Sequence, residues 1–289
     1  MTTITSLTTR DGLELHLRHW PLPAGNRPRG QVVLVHGLGE HIGRYVHVAG
    51  MLNAAGWEVT GYDQRGHGRS PGPRGGLAQG DDLLWDLAAL VDHLRHQHPD
   101  QPLVLLGHSM GGLLVGRFVA EQAQPAGAPR AGWARPVDAL VMSSPALDPG
   151  MNALQKQLLG LMGAVAPNTA VGNGLDPAWV SRDAAVVAAY KADPMVHDRV
   201  TAKLVRFIVD GGEVTRARAA AWNTPTLLMW AGADRCVAPR GSAAFANAAP
   251  PDVVAHHEFA QLSHEIFNEP EQAQVLQRLR EWLDFTFPR

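Results

Sequence analysis

The stretch LVLLGHSMGGLL, residues 103–114, runs from four aliphatic residues straight into a glycine-rich turn with Ser109 at its centre. The aliphatic run predicts a buried strand, and the apolar residues after the turn predict a helix. A serine on a sharp turn from strand to helix has the layout of a nucleophile elbow. Gly107 and Gly111 leave room for such a turn because they carry no side chain. Ser109 is therefore the first candidate for a reactive residue.

Aliphatic runs bounded by Gly, Pro or Asp recur along the chain and alternate with helix-like segments. This pattern is typical of a mostly parallel sheet covered by helices on both faces, an α/β fold. Two further segments at the N-terminus flank the turn signal Arg10, Asp11 and Gly12 and predict an antiparallel hairpin. The sequence thus predicts eight strands, in the segments 4–9, 13–20, 31–37, 57–63, 102–109, 137–145, 224–232 and 252–259.

The last segment, 268–285, predicts an amphipathic helix packed on the sheet, with Pro270 near its first turn. One earlier interval breaks the alternation of strands and helices. About eighty residues between the strand at 137–145 and the strand at 224–232 contain no convincing strand, more than an ordinary crossover requires. We therefore expect a core domain of residues 1–145 and 225–289, with a helical cap, or lid, of residues 146–224 inserted after the sixth strand.

Within this cap, apolar residues recur near helical spacing and give one helix a broad apolar face. They are Met151, Leu154, Leu158, Leu159, Leu161, Met162 and Val165. The helix either packs against the core domain or has a functional face. In the second case Leu158 and Met162 belong to the wall of an acyl-chain pocket, or the face makes transient contact with a lipid surface.

The bulk composition bears on partners and location. With 25 basic and 27 acidic residues and a net charge of −2, the chain has no field that favours nucleic acid or an anionic membrane. A small neutral substrate fits better, and the composition predicts no oligomeric state. The first residues show no basic or apolar segment of a signal peptide, and no run of about 18 apolar residues occurs. We therefore expect a cytoplasmic location.

Cysteine and histidine usage bears on metals. Cys236 is the single cysteine, so neither an internal disulfide nor a cysteine cluster for zinc can form. The 14 histidines contain no H-E-x-x-H pair, and the adjacent His256 and His257 would point to opposite faces of a strand. We expect no metal site and no cofactor.

A serine hydroxyl is a weak nucleophile and requires a base to take its proton and an acid to orient that base. On a strand–elbow–helix architecture both groups follow the serine in chain order, each after a later strand. Asp234 follows the first strand after the cap, and His264 follows the next one. We therefore predict a catalytic triad of Ser109, Asp234 and His264. His256 and His257 are rival bases, although both lie inside the strand.

Attack on an acyl carbon creates an oxyanion that preorganised N–H donors must stabilise. One donor is the backbone N–H of the residue after the nucleophile, Met110. The second comes from the loop after the third strand, where Leu38 follows His36 and Gly37. Leu38 and Met110 are thus the predicted oxyanion hole, and His36 is better placed to brace the loop than to react.

Taken together, these motifs resemble those of the monoacylglycerol lipases and the related lysophospholipase-like α/β hydrolases. The match covers nearly the whole chain, through VHGLGEHIGRY (35–45), YDQRGHGRSPG (62–72), LGHSMGG (106–112), LDPAWVSRDAAVVAAYKADPMVH (175–197), AGADRCVAP (231–239) and HEIFNEP (264–270). The resemblance implies the α/β-hydrolase fold and the same triad and oxyanion hole. It also implies that Glu40 and Arg44 lie beside a glycerol head group and that Tyr190 can bond a substrate hydroxyl.

Two observations stand beside this resemblance. The spacing of Glu40 and Arg44, four residues apart, suits an ion pair on a helix as well as it suits a site for a diol. Some members of the family carry a second histidine three residues after the catalytic one, whereas this chain has Phe267.

The first functional hypothesis is a serine carboxylic ester hydrolase that cleaves monoacylglycerols, or similar single-chain acyl esters, through an acyl-enzyme. The same triad would also serve a lysophospholipase, a thioesterase or an aminopeptidase. A non-catalytic binding protein on the same fold is a third hypothesis, against which the complete set of three residues argues.

Overall fold

The computed structural model describes residues 3–125 and 127–288. The strands in these ranges are β1 (Thr3–Thr8), β2 (Glu14–Trp20), β3 (Gln31–Val35), β4 (Glu58–Tyr62), β5 (Leu103–His108), β6 (Ala139–Ser143), β7 (Ala170–Gly172), β8 (Arg199–Thr201), β9 (Thr226–Ala231) and β10 (Val254–Phe259). Eight of them form one sheet in the order β1-β2-β4-β3-β5-β6-β9-β10. β1 and β2 pair antiparallel, as do β2 and β4, and the remaining neighbours are parallel. The predicted sheet and its N-terminal hairpin are confirmed.

Helices cover both faces of the sheet. In the described ranges they are α1 (Val46–Ala54), α2 (Asp82–Gln97), α3 (Met110–Val119), α4 (Ala153–Val165), α5 (Ala184–Ala192), α6 (Ala202–Ala217), α7 (Pro239–Ala248) and α8 (Gln272–Thr286). α1 and α8 pack on one face, whereas α2, α3, α6 and α7 pack on the other. Alternate residues of each central strand enter the two cores, as Val32 and Leu34 do on one side and Val33 and Val35 on the other. Because both faces are covered, the strands appear in the sequence as unbroken apolar runs.

The last helix begins later than predicted. α8 starts at Gln272, and a short 3₁₀ turn over Ile266–Asn268 precedes it. Glu269 is extended, with φ −78° and ψ 160°, because the ring of the following Pro270 disfavours the helical conformation there. The predicted apolar stripe is confirmed by the buried residues Val275, Leu279, Trp282 and Leu283.

The interval between β6 and β9 holds α4, α5, α6 and a hairpin of β7 and β8. The expectation that it contains no strand is wrong, because two strands of three residues pair there. Strands this short leave no alternation that the sequence could reveal. α6 is part of the main core, since Leu204 and Phe207 are buried in it and Gly211 lies against Leu113 of α3. The boundaries of a separate cap at 146 and 224 stay a prediction.

Helix α4 has no buried residue. The exposed fractions of Leu154, Leu158, Leu161 and Val165 are 73%, 57%, 61% and 75%. α4 is therefore not buried against the core domain as that interpretation requires: Leu159 and Met162 are half-buried, and the stripe formed by the four exposed residues faces solvent. No helix in the two described ranges is both long enough and apolar enough to span a bilayer.

The elbow between β5 and α3 is built by close backbone contacts. Ser109 has φ 53° and ψ −119°, a conformation that L residues rarely adopt. A Cβ on Gly107 would lie 2.3 Å from the carbonyl oxygen of Gly111, and a Cβ on Gly111 would lie 2.2 Å from that of Val35 on β3. The Ser109 N–H donates to the carbonyl oxygen of Ser143 on β6 at 2.9 Å. Both glycines are thus required for α3 to start against the end of the sheet.

We expect Gly111→Ala to lower the free energy of unfolding by about 1–3 kcal/mol, because its methyl group would overlap backbone atoms that cannot rotate away. Urea denaturation measures the change. Gly50→Ala is the matched control, since a Cβ there meets no atom within 4 Å and helix α1 gains about 0.5–1 kcal/mol from alanine. Equal stability of the two variants would contradict the packing of the elbow.

Candidate active site

Ser109, His264 and Asp234 meet at the carboxyl edge of the sheet. His264 Nε2 lies 2.8 Å from Ser109 Oγ, and His264 Nδ1 lies 2.6 Å from Asp234 Oδ2. The serine comes from the elbow, the aspartate from the loop after β9 and the histidine from the loop after β10. With Nδ1–H donating to the carboxylate, Nε2 accepts the hydroxyl proton of the serine, the arrangement in which an imidazole can act as a general base. The structure brings together the three residues predicted from chain order.

The carboxylate of Asp234 is held at both oxygens. Its Oδ1 accepts hydrogen bonds from the backbone N–H groups of Cys236 at 2.8 Å and Val237 at 3.1 Å, while Oδ2 contacts His264. The Asp234 side chain is 1% exposed. These contacts fix the carboxylate, and the carboxylate in turn fixes the orientation of the imidazole.

Two neighbouring histidines have opposite proton affinities. Burial opposes charge on His264, but the charge of Asp234 and its hydrogen bond raise the pKa of His264 above the usual 6.5. Burial, together with the nearby His264, lowers the pKa of His108 to about 3. The two rings are 4.8 Å apart. Of the two rings, His264 therefore has the higher affinity for a proton, and His108 is kept neutral.

The rival bases lie elsewhere. His256 and His257 are both in β10, where the ring of His256 packs against Trp230 and the ring of His257 against Phe259. The position beside the serine hydroxyl is occupied by His264.

The loop after β3 is braced from both ends. The Gly37 N–H donates to Glu40 Oε1 at 2.6 Å and is therefore already engaged. The next amide along the chain, that of Leu38, is the candidate donor to an oxyanion. The Nδ1 of His36 lies 2.8 Å from the Gly37 carbonyl oxygen, and its Nε2 accepts from the Gln64 N–H at 2.9 Å. His36 is fully buried, as expected of a residue that braces the loop.

Two cavities open from Ser109. The smaller, of about 240 Å³, is also lined by His264 and carries the polar side chains of Glu40, His108, Tyr190, Lys191, Asp193 and Glu265. The larger, of about 450 Å³, is also lined by Met110 and is mainly apolar, through Met151, Leu175, Trp179, Val205, Ile208 and Val237. Leu38 borders both cavities. The smaller cavity thus holds most of the charged side chains of the site, the larger holds mainly apolar ones, and the two meet at the serine.

The resemblance placed Glu40, Arg44 and Tyr190 beside the substrate, and the structure places two of them on the wall of a cavity. Glu40 and Tyr190 line the smaller cavity, whereas Arg44 is not among its lining residues. Arg44 Nη1 donates to Glu40 Oε2 at 2.6 Å, so the ion pair that the spacing allows is present. Arg44 also forms a bidentate pair with Glu265, at 2.6 and 2.7 Å. Sequence reasoning missed Glu265, although its position directly after His264 was an available signal.

The predicted acyl-pocket residues Leu158 and Met162 line neither cavity. Leu158 is 57% exposed, because the apolar stripe of α4 faces solvent. The apolar cavity is lined instead by Met151, which precedes α4, and by Val205 and Ile208 of α6. This geometry does not support the assignment of Leu158 and Met162 to the acyl pocket.

Among the described residues, ligand atoms of Asp234, Cys236 and His264 lie within 4.8 Å of one another, a spacing that a metal ion could use. Two of these donors already bond each other. Burial and the neighbouring Asp234 raise the pKa of the Cys236 thiol, which opposes the thiolate that a metal requires. The donor set fits a hydrogen-bonded triad better than a metal centre.

The fold and the site define the class of the protein as an enzyme, a serine hydrolase of the α/β-hydrolase type. Residues 26–271 match the family described as serine aminopeptidase, S33. The chain is 39% identical over 259 residues to the monoacylglycerol lipase of Mycolicibacterium smegmatis, covering 89% of this chain and 88% of that protein. It therefore belongs to this family of α/β hydrolases, among the members that resemble monoacylglycerol lipases.

Two further proteins are similar to this chain over most of its length. The crystal structure of the monoacylglycerol lipase of Paleococcus ferrophilus superimposes with a TM-score of 0.80 at 33% identity, covering 94% of this chain and 99% of that one. Phospholipase YtpA of Bacillus subtilis is 29% identical over 264 residues, covering 90% of this chain and 96% of that protein.

We expect kcat/KM to rise with pH through an apparent pKa above 6.5, because the base must be neutral and Asp234 raises the pKa of His264. Asp234→Asn removes that charge, so the acid limb should move to lower pH while the plateau falls by about 10⁴-fold. Steady-state rates on a soluble aryl ester across the pH range measure both effects. An acid limb that stays in place in Asp234→Asn would contradict the assignment of the limb to His264.

Proposed function

We propose that the protein hydrolyses monoacylglycerols, or similar single-chain acyl esters, to a fatty acid and an alcohol through an acyl-enzyme on Ser109. The hydrogen-bonded line of Ser109, His264 and Asp234 is the observation that carries the proposal. Ser109 Oγ attacks the ester carbonyl carbon while His264 Nε2 takes the hydroxyl proton, and the Leu38 and Met110 N–H groups stabilise the oxyanion. His264 then gives this proton to the departing alcohol, and a water molecule activated by His264 releases the fatty acid.

The two cavities give the substrate a direction. The leaving alcohol must lie on the side of His264, which protonates it, and His264 lines the smaller cavity. The acyl group then extends into the larger, apolar cavity beside Met110. Tyr190 and Glu40 line the smaller cavity, where they can bond hydroxyls of a glycerol head group.

A lysophospholipase, a thioesterase and an aminopeptidase are the alternatives. The smaller cavity is bordered by the carboxylates of Asp176, Asp193 and Asp198, which outnumber its one lysine, Lys191, and so disfavour an anionic phosphate. An aminopeptidase must bind the α-ammonium of its substrate on the acyl side. The described residues lining the larger cavity include no carboxylate and do include Arg235, so an ammonium group would lack a partner there. A neutral head group on a single acyl chain fits both cavities best.

Hydrolysis of medium-chain and long-chain monoacylglycerols, the matching lysophosphatidylcholines and aminoacyl amides tests the substrate class. We expect the highest kcat/KM on monoacylglycerol, and we expect Ser109→Ala to lose about 10⁶-fold in kcat because the nucleophile is absent. Circular dichroism verifies that the variant is folded.

Faster turnover of lysophosphatidylcholine or of an aminoacyl amide would replace the proposed substrate class and leave the serine mechanism intact. Turnover by Ser109→Ala at near wild-type rate would contradict the mechanism.

We further propose that the stripe of Leu154, Leu158, Leu161 and Val165 contacts the lipid surface from which the substrate is drawn. The stripe is continuous at helical spacing and exposed along its whole length. Met151, just before α4, and Gln155, in its first turn, border the larger cavity, so a surface held by the stripe lies close to the entrance for the acyl chain.

The double substitution Leu158→Gln and Leu161→Gln should weaken partitioning onto phosphatidylcholine vesicles by about tenfold or more, because two exposed leucines no longer enter the interface. Co-sedimentation with vesicles measures the partitioning, and hydrolysis of a soluble short-chain ester should stay unchanged. Ile4→Gln is the matched control, since Ile4 is 59% exposed and lies on the distant strand β1. Equal partitioning of the wild type and both variants would exclude the stripe as the contact surface.

A further inference from the structure

A buried cluster of three charged side chains lies at the wall of the smaller cavity, which two of them line. Arg44 is at its centre, with Glu40 on one side and Glu265 on the other. The exposed fractions of the three side chains are 12%, 4% and 5%. Buried charges of this kind need a structural or catalytic reason, because moving them out of water carries a large desolvation cost.

On one side, the cluster holds the loop of the predicted oxyanion hole. Glu40 Oε2 accepts from Arg44, and Glu40 Oε1 accepts from the Gly37 N–H at 2.6 Å and from the Tyr45 hydroxyl at 2.7 Å. Glu40 thereby fixes the peptide group that immediately precedes the Leu38 amide. Movement of Glu40 would displace the candidate oxyanion donor.

On the other side, the cluster holds the loop of the base. Glu265 follows His264 in sequence, and both its carboxylate oxygens accept from the Arg44 guanidinium. The backbone of Glu265 is also tied, since its N–H donates to the Val180 carbonyl oxygen at 2.8 Å. A bidentate pair fixes direction as well as distance, so Arg44 sets where the peptide after His264 can lie.

The cluster also reaches the interval between β6 and β9. The ring of Tyr190 on α5 stacks on the Arg44 guanidinium, 4.7 Å from its Cζ atom to the ring centroid. Burial alone would raise the pKa of Glu40, but Arg44 lowers it to about 2, and the two carboxylates hold the guanidinium charged. One positive and two negative charges leave a net negative charge beside His264.

We propose that Arg44 and Glu265 are positioning residues, which together with Glu40 clamp the loop of His264 to the loop of Leu38 and so keep base and oxyanion donor in register. This inference rests on the serine mechanism proposed above. The clamp connects the loop of the base, which takes the proton of Ser109 Oγ, to the loop of the donor that binds the carbonyl oxygen of the substrate. Its net negative charge also favours the imidazolium form that His264 adopts during the reaction.

The test compares Arg44→Lys and Glu265→Gln on a soluble p-nitrophenyl ester, with active sites counted by a fluorophosphonate probe. Lysine keeps the charge but cannot form the bidentate pair with Glu265. We therefore expect kcat/KM per labelled site to fall by about 10-fold to 100-fold, with the acid limb of the pH profile unchanged. Glu265→Gln should show a similar loss, and its acid limb should move to lower pH because a carboxylate that raises the pKa of His264 is gone.

The double variant should lose no more than the worse single variant, because either change opens the same clamp. Arg117→Lys is the control, since Arg117 and Glu121 form another half-buried pair four residues apart, at 2.8 Å. We expect this control to keep its turnover per labelled site.

Turnover per labelled site within about twofold of wild type in both clamp variants would overturn the proposal. This holds even if fewer molecules fold, because only labelled active sites are counted. Additive losses in the double variant would also overturn it, since independent effects do not come from one clamp. Failure of the probe to label the wild type would be a different result, because it contradicts the serine mechanism itself.

Discussion

The contact between the start of α3 and the end of β3 is the constraint on which the site depends. A Cβ on Gly111 would lie 2.2 Å from the carbonyl oxygen of Val35, so the helix can begin there only because this residue has no side chain. This contact forces Ser109 into φ 53° and places its hydroxyl beyond the edge of the sheet. It also brings Ser109 against the loop that follows β3, since a Cβ on Gly37 would lie 3.2 Å from the Cβ of Ser109. The nucleophile and both candidate oxyanion donors are therefore set by one packing arrangement.

The remaining chemistry comes from loops that carry little regular structure and are held by charge instead. Asp234 fixes His264 through one carboxylate oxygen and its own loop through the other. Arg44 links the loop of His264 to the loop of Leu38 through two buried carboxylates. Rigid strands thus supply approximate positions at the carboxyl edge of the sheet, and buried ion pairs supply the final alignment.

The sequence was sufficient for those parts of the structure that follow from local pattern and chain order. Unbroken apolar runs predicted the sheet, and the order of Ser109, Asp234 and His264 after successive strands predicted which side chains meet. The short strands β7 and β8 were missed because three residues show no period. The start of α8 was misplaced because Pro270 was assigned to the first turn, whereas its ring keeps Glu269 extended and the helix begins only at Gln272.

Contacts between residues far apart in the chain could not be predicted, for a different reason. The bidentate pair of Arg44 and Glu265 joins residues 221 positions apart, and nothing local marks Arg44 as a partner of that carboxylate. The sequence also left open what the apolar stripe of α4 faces, because an apolar helix face has the same period whether it contacts a core, a cavity or a lipid surface. Leu158 and Met162 were assigned to the acyl pocket on that period alone.

The most direct test of an acyl-enzyme on Ser109 is a mass measurement on the enzyme during turnover of a slowly hydrolysed acyl ester, quenched in acid and digested. We expect the peptide containing Ser109 to gain the mass of the acyl group less one hydrogen, and to lose this mass as the fatty acid is released. Release of fatty acid with no acyl group on Ser109, or with the acyl group on another side chain, would contradict it.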